Sequence, residues 1–218
     1  MQLLLLGATG RTGKHILETA LEHGHTVHAL VRDKQKINVS HAQLQLFEGD
    51  PLNKTILSEA MTGCDAIVNA LNISRTSDWP WAKLRSPENL LSAIAQHIID
   101  LTPQHNIDRY VFISAWGVAE TRKDIPGWFR WFIEHSNIRY PYADHERQED
   151  LIKKSSLQFT CIRPAGLTNS KKKKELIVTI NKEPKPRLLI SRSSVAGFVV
   201  EVLEKNLYAK GIVTLSEK

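Results

Sequence analysis

The stretch Leu3-Leu4-Leu5-Leu6-Gly7-Ala8-Thr9-Gly10-Arg11-Thr12-Gly13 decides the fold. An apolar run from Gln2 to Leu6 reads as a strand buried on both faces, as parallel strands are. Three glycines at intervals of three follow at once. Residues 14–23 then place Ile16, Leu17, Ala20 and Leu21 at helical spacing. Gly7 permits a tight turn, Gly10 lets backbone approach a pyrophosphate, and Gly13 lets helix and strand pack closely. The helix that opens here turns free N–H groups and a positive dipole end toward an anion.

Outward from this motif, strand and helix alternate. Gly24 ends the first helix, and residues 26–31 form a second strand. Further strands are expected at 44–47, 66–70, 110–114 and 159–163, with helices at 55–61, 87–101 and 144–154. Residues 176–180 and 187–190 are expected to pair as a short antiparallel ribbon. A last helix at 194–203 and a last strand at 211–215 follow. Repeated βα units without a break in composition predict one α/β domain, 1–218, of Rossmann type. Its single doubly wound parallel sheet would carry helices on both faces. Two long irregular segments, 73–86 and 115–143, follow strands four and five. They would overhang the carboxyl ends of the strands, where such sheets bind ligands.

Composition sets bounds. With 218 residues, 42% hydrophobic and 24% charged, the chain supports one ordinary core. No apolar run approaches the ~18 residues needed to span a membrane, and the leucine run is too short for a secretory h-region. A cytoplasmic protein without a membrane partner is expected. Cys64 and Cys161 lie in apolar surroundings with no metal-ligand spacing, so neither a metal site nor a disulfide framework is expected. The net charge of +6 owes much to residues 171–174 with Lys182, Lys185 and Arg187. No nucleic-acid motif accompanies it, so nucleic acid is not expected as a partner. The lysine run is either a solvated loop or a lure for phosphate-bearing ligands.

The second strand ends Ala29-Leu30-Val31-Arg32, where NAD sites usually place an acid for the adenosine ribose. Arg32 suits bidentate contact with a 2′-phosphate, and Lys36 is placed to assist. Asp33 is expected to point away from Arg32. The reading is NADP(H) in preference to NAD(H).

The glycine motif, Leu30-Val31-Arg32-Asp33 and Glu48-Gly49-Asp50 together resemble the atypical short-chain dehydrogenase/reductases. The nearest group is the NAD(P)H-binding one that includes NmrA-like proteins and biliverdin-IXβ (flavin) reductases. Asp65-Ala66-Ile67-Val68, Val111-Phe112-Ile113-Ser114-Ala115, Asp144-His145 and Ile190-Ser191-Arg192 extend the likeness, in order, along nearly the whole chain. The resemblance implies that Gly7, Thr9, Gly10, Arg11, Thr12 and Gly13 receive the phosphates. Asp50 and Pro51 would flank the adenine, and Ala70, Leu71 and Asn72 would line the pyrophosphate and ribose. Ser114 and Pro164 would stand near the nicotinamide, and His145 beside its ribose. Two departures stand out. There is no Tyr-x-x-x-Lys, since Tyr142 precedes His145 by three. Pro164-Ala165-Gly166 also lacks the histidine that those reductases carry after the proline.

All five tryptophans, Trp79, Trp81, Trp116, Trp128 and Trp131, fall on the two long segments or at the end of strand five. They either wall a pocket for a planar substrate, anchor the segments, or form an exposed interaction patch. The leading expectation is an NADPH-dependent oxidoreductase that passes hydride to a small planar acceptor such as a flavin or quinone. In it Ser114 hydrogen-bonds substrate or carboxamide, His145 holds the ribose, and Tyr142 or Tyr140 is a fallback acid. The rivals are a dinucleotide-sensing regulator without turnover and, more remotely, a sugar-nucleotide epimerase. A monomer or weak dimer is expected.

Overall fold

The computed structural model describes every residue except Lys171 and Lys173. In chain order the described elements are β1 (Gln2–Leu6), α1 (Arg11–Glu22), β2 (Thr26–Val31), β3 (Leu44–Glu48), α2 (Lys54–Met61), β4 (Ala66–Asn69), α3 (Leu90–His105) and β5 (Arg109–Ile113). Then come α4 (Gly127–Glu134), α5 (Arg139–Lys153), β6 (Gln158–Pro164), β7 (Gly166–Thr168), β8 (Leu176–Thr179), β9 (Leu189–Ser191), α6 (Arg192–Glu204) and β10 (Gly211–Glu217). The main sheet runs β3-β2-β1-β4-β5-β6-β10-β8, parallel except where β8 meets β10. This is the doubly wound α/β arrangement read from the sequence. The strand order reverses between β1 and β4, and a crevice opens there at the carboxyl ends of the strands.

The leucine run sits at the centre of the sheet and feeds two cores. Leu3 and Leu5 pack with α1 and α6 on one face. Leu4 and Leu6 pack with α2 and α3 on the other. No side of β1 is left for water, which is why it reads as unbroken leucine. Helix α1 stops where Gly24 takes φ +78° and its N–H reaches the Leu21 carbonyl at 3.0 Å.

The expected antiparallel ribbon does not form. β8 instead pairs antiparallel with β10, and β9 pairs in parallel with β7. An uncovered edge of β10 would leave a row of unpaired backbone groups, and β8 satisfies them. Of the ribbon only the bridge between Ile180 and Glu183 remains. Two helix starts also differ from expectation. α5 begins at Arg139 rather than 144, so the second long segment keeps only a short 3-10 turn and α4. α3 begins at Leu90 rather than 87, because its cap comes from another helix. The fully buried Asp144 carboxylate accepts from the Leu91 N–H at 2.6 Å and the Ser92 hydroxyl at 2.5 Å. His25 and His28 are buried. His25 bonds Glu204 at 3.1 Å, and His28 bonds the Ala60 carbonyl at 2.9 Å.

Candidate functional site

The glycine turn is built as its spacing implies. Gly7 has φ +88°, and its carbonyl accepts from the Gly10 N–H at 2.9 Å. A Cβ on Gly7 would sit 2.8 Å from the Ala70 backbone, and one on Gly13 would overlap the Gly7 carbonyl oxygen outright. Gly10 is different. Its φ of −75° is open to any residue, and the nearest atom to an added Cβ is the Gly7 oxygen at 3.1 Å. Gly7 and Gly13 are thus required by the fold, whereas Gly10 leaves room above the loop.

That room is a polar groove of about 560 Å³, lined by Gly7, Thr9, Gly10, Arg11, Thr12 and Arg32 on one side and Ala70, Leu71 and Asn72 on the other. Arg32 is exposed and has no carboxylate partner among the described residues. Lys36 does not join it. It pairs with Asp33 at 3.5 Å and lines a separate small groove with Lys14, while Asp33 caps a 3-10 turn by accepting from the Gln35 N–H at 3.0 Å. Asp50 turns back to accept from the Leu52 N–H at 2.9 Å, and neither it nor Pro51 lines the groove. Two arginines that the sequence reading left without a role, Arg75 and Arg192, do line it. Arg192 stood in the Ile190-Ser191-Arg192 motif, and its buried guanidinium donates to Asn169 at 2.7 Å. Asp78 of segment 73–86 reaches across to Arg11 at 3.0 Å and straps the groove.

The groove continues into an apolar cavity of about 700 Å³ at the ends of β5 and β6. Thr12, Ala70, Leu71, Asn72, Arg75, Leu167 and Arg192 border both spaces. Ser114, Tyr142, His145 and Pro164 all line this cavity, with Trp116, Trp128 and Phe129. A larger cavity of about 940 Å³ lies beside β8 and β10 under a mixed rim of lysines and acids. It touches none of the glycine loop and is not the site described here.

Ser114 is not free. Its hydroxyl donates to Glu149 at 2.7 Å, and Glu149 accepts from the buried Arg163 at 2.9 and 2.5 Å. Arg163 in turn meets Glu120 at 2.5 Å. Burial opposes ionisation of Glu149, but Arg163 outweighs it, and the carboxyl is held below its usual range. With its one proton committed inward, Ser114 presents only lone pairs to the cavity. His145 is 2% exposed, and its Nδ1 is buried without a partner among the described residues. Burial pushes its imidazole down to about 4 against the pull of Glu149 and Asp144, so it is neutral at pH 7. Tyr142 donates to the Trp116 carbonyl at 3.3 Å, and burial raises its phenol. Nothing in the sequence announced Glu149 or Arg163, since their contacts join α5 to β6. Both cysteines are buried; burial lifts Cys64 to about 12 and Cys161 well above its ordinary value. Among the described residues no cluster of three His, Cys, Asp or Glu is placed to hold a metal. Among them, too, no helix is long and apolar enough to cross a membrane.

Fold and groove together define a dinucleotide-binding protein of the doubly wound α/β kind. The chain matches the NAD(P)H-binding family over residues 7–206 and belongs to it. A fungal relative, the oxidoreductase GME11367 of Pestalotiopsis microspora, is 26% identical over 75% of this chain and 66% of its own. Among solved structures, a short-chain dehydrogenase/reductase from Veillonella parvula in complex with NADP has a TM-score of 0.80 at 16% identity, covering 99% of this chain and 94% of that one. The anaerobilin reductase ChuY from Escherichia coli O157:H7 has a TM-score of 0.81 at 18% identity, covering 100% and 97%. These two likenesses are of fold.

Proposed function

We propose that the protein is an NADPH-dependent reductase whose acceptor, a small planar molecule of flavin or quinone type, lies in the apolar cavity. The observation that carries this is the continuity of the two spaces: a cation-lined groove over the glycine turn opens directly into an apolar cavity at the ends of β5 and β6. The glycine turn fits a pyrophosphate, because Gly10 leaves space that a side chain would fill. His145, whose neutral imidazole borders the cavity, fits a ribose hydroxyl. When bound, the nicotinamide supplies the hydride; the chain supplies position and electrostatics.

Arg32 takes the 2′-phosphate, with Arg11, Arg75 and Arg192 balancing the other phosphates. Ser114, held by Glu149, accepts from the carboxamide N–H₂ rather than donating to substrate. That differs from the donor role expected of it and follows from the 2.7 Å bond to Glu149. The walls of the cavity, Trp116, Phe129 and Tyr142, offer apolar faces against which a planar acceptor can stack. Tyr142 is a poor acid, since its phenol is raised and already donating. The second proton therefore comes from solvent, which suits a flavin or quinone. A cytoplasmic location remains part of this reading.

The test is NADPH oxidation against a panel of flavins and quinones. Oxidation with at least one acceptor, at a rate lost on competition with NADP⁺, supports the reading. Tight cofactor binding with no acceptor reduced would favour the dinucleotide-sensing regulator, the reading that the missing acid supports.

A further inference from the structure

The exposed apolar side chains of this molecule are not scattered. Of the eight large ones that are exposed, six are Trp79, Trp81, Trp128, Trp131, Leu188 and Leu189. Trp79, Trp128 and Trp131 are 65%, 70% and 58% exposed, values that packing anchors do not show. The rings form one chain across the two long segments. Trp79 meets Trp81 at 5.4 Å, Trp81 meets Phe132 at 5.8 Å, and Phe132 continues through Phe129 to Trp128. The indole of Trp81 donates to the His135 carbonyl at 2.8 Å, and Asn137 donates to the Trp81 carbonyl at 2.9 Å. The two segments thus make one surface. Trp128, Leu188 and Leu189 also line the apolar cavity, so that surface borders its mouth.

The charges on the same segments are one-sided. Each of the four carboxylates in 73–86 and 115–139 is already paired: Asp78 with Arg11, Glu120 with Arg163, Asp124 with Lys182 and Glu134 with Arg122. Lys83, Arg85, Arg130 and Arg139 have no carboxylate within salt-bridge distance among the described residues. Indole rings interleaved with uncompensated cations are the composition of a bilayer interface. There the rings sit at headgroup level and the cations meet anionic phosphates.

We propose that this aromatic and basic rim docks the protein on an anionic phospholipid surface, with the mouth of the cavity facing the lipid. Anionic headgroups balance cations that nothing in the described chain balances, and the indoles settle among them. No helix needs to cross the membrane; the contact is peripheral. Resting on the function proposed above, the placement also selects an acceptor that partitions into lipid, such as an isoprenoid quinone. That acceptor would pass between bilayer and cavity without crossing water.

The experiment is flotation of the intact protein with vesicles of phosphatidylcholine alone and of phosphatidylcholine mixed with phosphatidylglycerol, reading tryptophan emission in parallel. Neither cofactor nor acceptor is added, so the outcome is separate from that of the turnover test. Binding is expected to the mixed vesicles only, weakened by salt and accompanied by a blue shift of the emission. Lys83→Gln, Arg85→Gln and Arg130→Gln together should weaken it roughly a hundredfold. Trp79→Ser with Trp131→Ser should lower affinity and shrink the blue shift, while the far-ultraviolet circular dichroism, which reports folding, stays unchanged. Absence of binding to the mixed vesicles would overturn the proposal. So would binding to neither vesicle alongside self-association through the tryptophans, or vesicle binding that both variants leave intact.

Discussion

The two halves of the groove are built by different means. The floor of the phosphate half is made by backbone within a few residues of one turn, where three glycines and the end of β1 specify its shape. The acceptor half is made by side chains from β5, α4, α5, β6 and the α6 approach, brought together only by the fold. Local geometry writes itself into sequence spacing; convergent geometry does not. The phosphate half should therefore tolerate almost no change in its glycines, and the acceptor half should respond in graded ways.

The largest effects are expected at the glycines. Gly10→Val should fold, because its backbone conformation suits any residue, yet lose NADPH binding altogether by filling the space over the loop. Gly13→Ala should instead fail to fold, since its Cβ overlaps the Gly7 carbonyl. Circular dichroism and cofactor titration of the two variants separate these outcomes. A folded Gly10→Val that binds NADPH normally would remove the phosphate half from the account.

Next comes the buried ion pair. Glu149→Leu strips Arg163 of one of its two carboxylates and Ser114 of its acceptor, a change worth about 3–5 kcal/mol of stability. Glu149→Gln, which keeps an acceptor, should cost less. Chemical denaturation measures both. Near-equal stability of Glu149→Leu and the parent would show that the pair contributes little beyond its own desolvation.

His145 gives a pH-dependent effect of intermediate size. In the unfolded chain its imidazole titrates near 6.5, and in the folded one near 4. The unfolded state therefore takes up the proton first, and acid costs the fold stability between about pH 6.5 and 4, with no contribution above that window. At about 1.4 kcal/mol per unit, the full difference is about 3 kcal/mol. His145→Gln should lose that share of the acid sensitivity between pH 7.5 and 4.5, read from denaturation curves. An unchanged slope would mean that the imidazole reaches solvent.

The smallest effect is expected at Ser114. Ser114→Ala removes one neutral hydrogen bond to the carboxamide, and turnover should fall by about tenfold with NADPH affinity little changed. A thousandfold loss would assign Ser114 a chemical step, against the inward bond to Glu149.

The same contrast explains what was legible in the sequence. The succession of strands and helices and the glycine turn followed from patterns within a few residues. The pairing of β8 did not, because 176–179 answers to an edge of β10 lying some 35 residues away. Nor did the commitment of Asp144 to the start of α3, or of Ser114 to Glu149, since each is a contact between distant elements. The five tryptophans were legible as a cluster but not in their orientation: Trp116 is buried, Trp128 borders the cavity, and Trp79, Trp81 and Trp131 face outward. Lys36 looked like a partner for Arg32 by spacing alone, and Asp33 holds it elsewhere. The lysine run at 171–174 lies partly outside the described residues; Lys172 and Lys174 are exposed.

The central claim, that the cation-lined groove holds a dinucleotide and reads its 2′-phosphate at Arg32, is tested most directly by titrating NADPH and NADH into the parent protein and Arg32→Ala. The account predicts that the parent prefers NADPH. The substitution should weaken NADPH by about 1.5–3 kcal/mol, the worth of a charged hydrogen bond, and leave NADH nearly untouched. Equal losses for both cofactors, or a parent that prefers NADH, would contradict it.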